Sequence, residues 1–346
     1  MIPRHSMTLV CALLVMGTRT TSADDKGGGD VLDRFVGVWK VSDTVKPAKW
    51  TPEGGKIAEQ ESTVWALKRR LVLIRAINPA EKRKSLWIAT YDAKQNAYPF
   101  WGFDSRGLSG AQWRLTWDAP ANKAVGHATD LARGWTSGGS NHFTDADTNV
   151  IEHWIKNENG DLMFHHIGKK ERQPAKSEAA VVAAWKKHEP ADNLPAELKV
   201  LDRMVGTWDA VSTMKPAEWT PDGGRSTMKI TREWILNGRF VMDTPLHSNG
   251  QEGMTIIGFD PNQKVYQGWR FNSEGEFPRS PFKGSWNAKS QTLSYVGKLE
   301  DGKTNRSSVR FFGRNQEVWE IKVTDADGKV YFDMDTIATR RAKASQ

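Results

Sequence analysis

Cysteine is nearly absent from this chain: Cys11 is the only one, and it sits within the first apolar run. If that run is removed, the chain has no disulfide, no thiolate metal site and no cysteine nucleophile. A lipid anchor on Cys11 is also excluded, because it follows Val10 rather than a small residue and interrupts the apolar run instead of ending it. No apolar stretch approaches the roughly 18 residues that a membrane-spanning helix needs. Blocks of five like charges are missing as well, so the basic excess reads as a solvated surface, and a nucleic-acid role is set aside. Three catalytic signatures are absent: the GxSxG elbow, the glycine-rich phosphate loop and the dinucleotide fingerprint. No set of residues therefore argues for an enzyme.

The N-terminus has the form of a secretory signal: Arg4 and His5, then the apolar Leu9 to Gly17, then small residues ending at Ala23. Cleavage near Ala23 is expected, which places the mature chain outside the cytoplasm, periplasmic or secreted, without membrane insertion. Tryptophan is abundant, at 16 residues. So large an apolar ring with an N–H that must find a partner points to wide aromatic cores or aromatic-lined pockets.

An internal repeat organises the rest. LDRFVGVWKVSDTVKPAKWTPEGG (32–55) and LDRMVGTWDAVSTMKPAEWTPDGG (201–224) share 15 of 24 positions. The match continues through Trp65 with Trp234, YPFWGFDSRG (98–107) with YQGWRFNSEG (266–275), Trp117 with Trp286, and Trp154 with Trp319. The expected division is a signal (1–23), a flexible lead (24–30), a first domain (31–173), a linker with a short helix (174–198) and a second domain (199–342). In the linker, SEAAVVAAWKKH (177–188) reads as a helix with Ser177 as N-cap, docking through Val181, Val182 and Trp185. Each copy reads as short strands between turn signals, which is all-β: an antiparallel barrel of eight to ten strands in up-and-down order.

Each copy opens with a GxW pattern, ending in Trp39 or Trp208, and closes with a basic cluster, Lys169 to Arg172 or Arg340-Arg341. In this it resembles the calycin-like barrels (lipocalins and fatty-acid-binding proteins), and within them bacterial exported lipocalin-like domains of unknown function. The resemblance implies that the GxW tryptophan packs at the closed end beneath a basic residue. That residue would be Lys170 or Arg172 over Trp39, and Arg340 or Arg341 over Trp208. It also implies a haem alternative, because some such barrels hold haem through a histidine of a late strand, here His166.

Strand alternation supplies the other candidates. Trp101 with Phe103, Trp269 with Phe271, and Trp65 with Trp234 are read as either walling a cavity or filling a solid core. In KPAxWTPxGG, Trp50 and Trp219 stand on a rigid loop at a barrel mouth. Glu152 and Glu317, each two residues before a paired tryptophan, are expected to face inward, salt-bridged or toward a ligand. Leu162, Phe164 and His166 are expected inward and His165 outward. Five histidines fall between His127 and His166, while the second copy has only His247.

The function expected is an exported binding protein, each barrel holding a small apolar or aromatic ligand, with no cofactor needed. The alternatives are a non-catalytic envelope module with filled barrels, or a haem- or metal-binding first barrel using His166. Distinctive chemistry is expected where the copies diverge.

Overall fold

The computed structural model describes residues 26–130, 134–189, 194–299 and 301–342. The leader and its cleavage point near Ala23 lie outside the described residues. Helix α1 (Lys26–Asp33) occupies most of the stretch expected to be a flexible lead, and α2 (Glu178–Lys186) lies in the linker. Among the described residues no helix is long and apolar enough to cross a membrane.

The first domain contains β1 (Gly37–Val45), β2 (Gly55–Ala66), β3 (Leu71–Asn78), β4 (Arg83–Thr90), β5 (Tyr98–Asp104), β6 (Ser109–Asp118), β7 (Lys123–Asp130), β8 (Trp135–Phe143), β9 (Thr148–Lys156) and β10 (Leu162–Gln173). The second contains β11 (Gly206–Met214), β12 (Gly224–Ile235), β13 (Phe240–His247), β14 (Gly253–Asp260), β15 (Val265–Asn272), β16 (Phe282–Asn287), β17 (Thr292–Lys298), β18 (Thr304–Phe312), β19 (Gln316–Thr324) and β20 (Val330–Arg340). In each set every strand pairs antiparallel with its sequence neighbours, and the first pairs with the last, giving two closed up-and-down barrels of ten strands. Closure leaves no sheet edge unpaired in either barrel.

One end of each barrel is plugged by the segment leading into it. Val31, Leu32 and Phe35 join Trp39, Phe100, Leu115 and Phe143 in one buried cluster, and Leu198, Leu201 and Met204 do the same in the second barrel. The GxW tryptophans organise these closed ends. Trp39 Nε1 donates to Phe35 O and Trp208 Nε1 to Met204 O, each at 2.8 Å. Arg172 and Arg340 stack over the two indoles at 4.2 Å from the ring centroid. Of the basic residues that the resemblance offered, Lys170 instead turns inward and Arg341 pairs outside with Asp209. The glycine of the motif has φ of +132° at Gly37 and +136° at Gly206, and a Cβ there would strike the stacking arginine. A left-handed backbone and the close approach of a guanidinium both demand glycine at this position.

Helix α2 lies against the first barrel through buried Val181 and Trp185, whose Nε1 donates to Ser85 O at 2.9 Å. Ser177 stands at its N-cap, but the hydroxyl donates back to Pro174 O instead of capping the helix.

Candidate functional site

Cross-strand register fixes which side chains enter each barrel, because directly paired residues share a face. In the first barrel Trp39, Val41, Asp43 and Val45 of β1 pair with Arg172, Lys170, Gly168 and His166 of β10. His166 and Gly168 in turn pair with His153 and Ile151 of β9, and His153 and Ile155 with Gly139 and Ser137 of β8. His166 and Phe164 therefore face inward, as expected, and His165 faces outward against Glu152 at 3.1 Å, but Leu162, expected inward, is turned to the outside by a bulge between it and Phe164.

Glu152 consequently lies on the outer face with Trp154, against the expectation that it points inward. The reason is register: Ile151 pairs with Gly168 and Trp319 pairs with Thr336, so Ile151, not Trp154, occupies the place of Trp319. Matching the two tryptophans by sequence shifts the strand by an odd number of residues, which reverses the face. The counterpart of Glu317 is Asn149. Glu317 does face inward, fully buried, with Oε1 at 2.7 Å from Arg232 Nη1, and Arg232 Nε lies 3.1 Å from Asp243 Oδ2. Its carboxyl is pushed up by burial, and the guanidinium opposes that shift.

Trp101 and Phe103 pair with Ile88 and Leu86, while the interior-facing Trp87 and Ala89 pair with Gly102 and Phe100. Both aromatics are buried on the outer face of β5, and by the same register Trp269 and Phe271 are buried on the outer face of β15. These four rings therefore do not wall an interior cavity. Trp65 and Trp234 are at the closed ends, where Nε1 donates to Asp33 Oδ1 at 2.7 Å and to Asp202 Oδ1 at 2.9 Å. They brace the plug segments.

The opposite end of the first barrel is different. Ile57, Glu59, Ala111, Trp113, Ser137, Gly139, His153, Ile155, Phe164 and His166 all face inward, yet all are only half-buried. This half is therefore less tightly closed than its counterpart. In the second barrel the equivalent positions hold Met228, Ile321, Val323, Phe332 and Met334 in place of Glu59, His153, Ile155, Phe164 and His166, and every one is buried. The phenylalanines make the contrast direct: Phe332 is 0% exposed, whereas Phe164, at the same register, is half-buried.

The open half of the first barrel carries an aromatic and imidazole wall. The His153 ring stands 4.8 Å from Trp113, 5.9 Å from Phe164 and 5.3 Å from His166, and Phe164 is 5.4 Å from His166. His166 Nδ1 is 2.9 Å from Asp43 Oδ2, a buried carboxylate. The two are not aligned as a hydrogen bond, but in the neutral ring the carboxylate beside Nδ1 favours the tautomer with its proton there, leaving Nε2 as the acceptor. Gly168 makes room for Asp43, because a Cβ at 168 would fall 1.6 Å from Asp43 Oδ1. Burial, with help from the neighbouring imidazoles, drives the His153 pKa down to about 3, so this ring is neutral. Deeper in the barrel, Lys170 Nζ meets both oxygens of Glu61 at 2.8 and 2.7 Å, and Arg83 lies 2.5 Å from Glu59.

At the mouth, Trp50 is 48% exposed, with its ring 5.2 Å from Trp135. Trp219, its counterpart, packs on the buried apolar cluster of the second barrel and on Tyr331 at 5.6 Å. One repeated loop thus borders half-buried interior residues and the other covers a buried apolar cluster.

Among the described residues no group of three His, Cys, Asp or Glu side chains could hold a metal ion. A tetrapyrrole on His166 would need the space that His153 and Phe164 take beside it. The residues present fit neither group. Sequence reasoning missed Asp43, His153 and Trp113 here. The signal available was that Asp43 faces the same way as Trp39 and Val41 by simple alternation.

Residues 195–340 match the model of a family described as "Protein of unknown function (DUF1579)". The match is confined to the second barrel and its lead-in segment, and no curated protein matches the chain. Similar solved structures include a protein of unknown function of the DUF3598 family from Nostoc punctiforme, 9% identical with TM-score 0.29, covering 91% of this chain and 100% of that one. Another is the S-type phycobiliprotein lyase CPES from Guillardia theta, 9% identical with TM-score 0.32, covering 42% and 92%. A third is Rv2717c from M. tuberculosis, 10% identical with TM-score 0.34, covering 43% and 100%. At such identities and scores, function has to be read from this chain's own residues.

Proposed function

We propose that the first barrel binds a small aromatic molecule carrying a hydrogen-bond donor, and that the second has the equivalent positions filled by its own apolar side chains. The observation that carries this reading is the half-burial of inward-facing Phe164, His153 and His166 where the second barrel buries Phe332, Ile321 and Met334. An apolar wall with few polar groups is the usual make-up of a small-molecule site. The rings of Trp113, Phe164 and His153 supply the wall, and His166 Nε2, set by Asp43, accepts from the ligand's O–H or N–H. The binding would take place outside the cytoplasm, on the strength of the N-terminal leader.

The test uses the chain without its leader and a panel of phenols, indoles and naphthols beside aliphatic alcohols of equal size. Hydroxylated aromatics are expected to raise the unfolding temperature and alter tryptophan fluorescence saturably, more than the aliphatic series. Ser137→Leu, which fills the interior beside Ile155, should abolish both effects while the protein stays folded. Undiminished binding by Ser137→Leu, or no response to any aromatic, rejects the proposal.

A further inference from the structure

The second barrel carries a guanidinium that its own architecture does not use. Arg232 and Asp243 are joined by an ion pair between β12 and β13, Asp243 pairs with Thr255 of β14, and Thr255 with Arg270 of β15. These four residues form one inward-facing row across four strands. Arg232 is held by two carboxylates. Arg270, half-buried, has no hydrogen bond or ion pair within 4 Å among the described residues. Only longer-range charges act on it: Glu276 and Asp243 favour its cation, burial opposes it, and Arg270 in turn disfavours a charged His247.

The fold does not require an arginine at this place. The corresponding pair in the first barrel is Trp87 with Gly102, where a Cβ on the glycine would strike the tryptophan ring. The second copy replaces an aromatic ring with a charged side chain that a barrel interior penalises unless it is paired. Nearby polar atoms are also without partners, namely Asp243 Oδ1 and His247 Nδ1.

We propose that Arg270 is the anchor of a binding site for a small monocarboxylate at the mouth of the second barrel. A planar guanidinium matches a carboxylate with two parallel N–H bonds. A single cation without a direct partner, with Asp243 and Glu276 within electrostatic reach, selects a monoanion over phosphate, whose second charge those carboxylates repel.

The experiment titrates the chain without its leader with acetate, butyrate and benzoate at constant ionic strength, against chloride and phosphate, by calorimetry and thermal unfolding. Saturable binding of the carboxylates alone is expected, weakened at least tenfold in Arg270→Met and less in Arg270→Lys, which keeps the charge without the fork. Arg270→Met without ligand should unfold at or above the wild-type temperature, since it removes an unpaired charge. Ser137→Leu, altered only in the first barrel, should bind carboxylates as wild type does. Equal response to chloride and phosphate, unchanged affinity in Arg270→Met, or loss of binding in Ser137→Leu would each overturn the assignment. So would an Arg270→Met protein that unfolds below wild type, with Arg270→Lys binding no carboxylate, because the arginine would then be structural.

Discussion

A histidine shielded from water is held neutral by the fold, and two among the described residues are shifted in this way. Burial lowers His153 to about 3 and His247 to about 4 from the ordinary 6.5. Between those values and 6.5 the unfolded chain binds more protons than the folded one. Stability should therefore be full above pH 6.5 and fall as pH drops toward 4, by up to about 1.4 kcal/mol per pH unit per histidine. Urea unfolding from pH 7 to 4 checks this, and His153→Phe should flatten the first barrel's share of the slope. Gly168 offers a second test at this scale. Gly168→Ala puts a methyl where Asp43 Oδ1 sits, with an expected loss of about 1–3 kcal/mol from overpacking and displaced charge. His166 and Phe164 were legible as inward residues because alternation needs only parity within one strand. Asp43 as their partner was not, since β1 and β10 meet across more than a hundred residues.

At the scale of the element, the two barrels solve the same interior with different ion pairs. Glu61 with Lys170 bridges β2 and β10 in the first, and Arg232 with Glu317 and Asp243 bridges β12, β19 and β13 in the second. The places of Glu61 and Lys170 are taken by Ile230 and Ala338 in the second barrel. Breaking a buried pair leaves a charge uncompensated, so Glu317→Ala is expected to cost about 3–5 kcal/mol. Replacing both partners removes the desolvation penalty with the pair: Glu61→Ile with Lys170→Ala should be within about 1 kcal/mol of wild type or more stable. Chemical denaturation of the two variants measures the contrast. The inward facing of Glu317 was readable from Trp319 and Ile321 on its own strand. The same reading failed for Glu152, because the first copy has no such alternation around Trp154 and the pairing of tryptophans supplied a false register.

At the scale of the whole molecule, duplication conserves the scaffold and lets the interiors drift. The closed ends match residue for residue in the tryptophan, the arginine above it and the glycine that admits both. The opposite halves do not: apolar side chains bury one interior, while the other is lined by half-buried polar and aromatic side chains. If the first barrel alone takes an aromatic ligand, hydrogen exchange with and without that ligand should show new protection in β8, β9 and β10, with none in β18, β19 and β20. Protection of both sets would mean that the second interior opens on binding.

The sequence by itself determined the duplication and the up-and-down all-β class, because each rests on local alternation or on a motif repeated nearly unchanged; the resemblance implied a basic residue over each GxW tryptophan, and the structure chose Arg172 and Arg340. The sequence also pointed to the segment between His127 and His166 as the place where the copies part. Tertiary structure decided which face each strand turns inward and which interior is closed by buried apolar side chains. Both depend on pairing between distant strands and on the summed volume of side chains from all ten, and neither quantity is carried by any one stretch of chain.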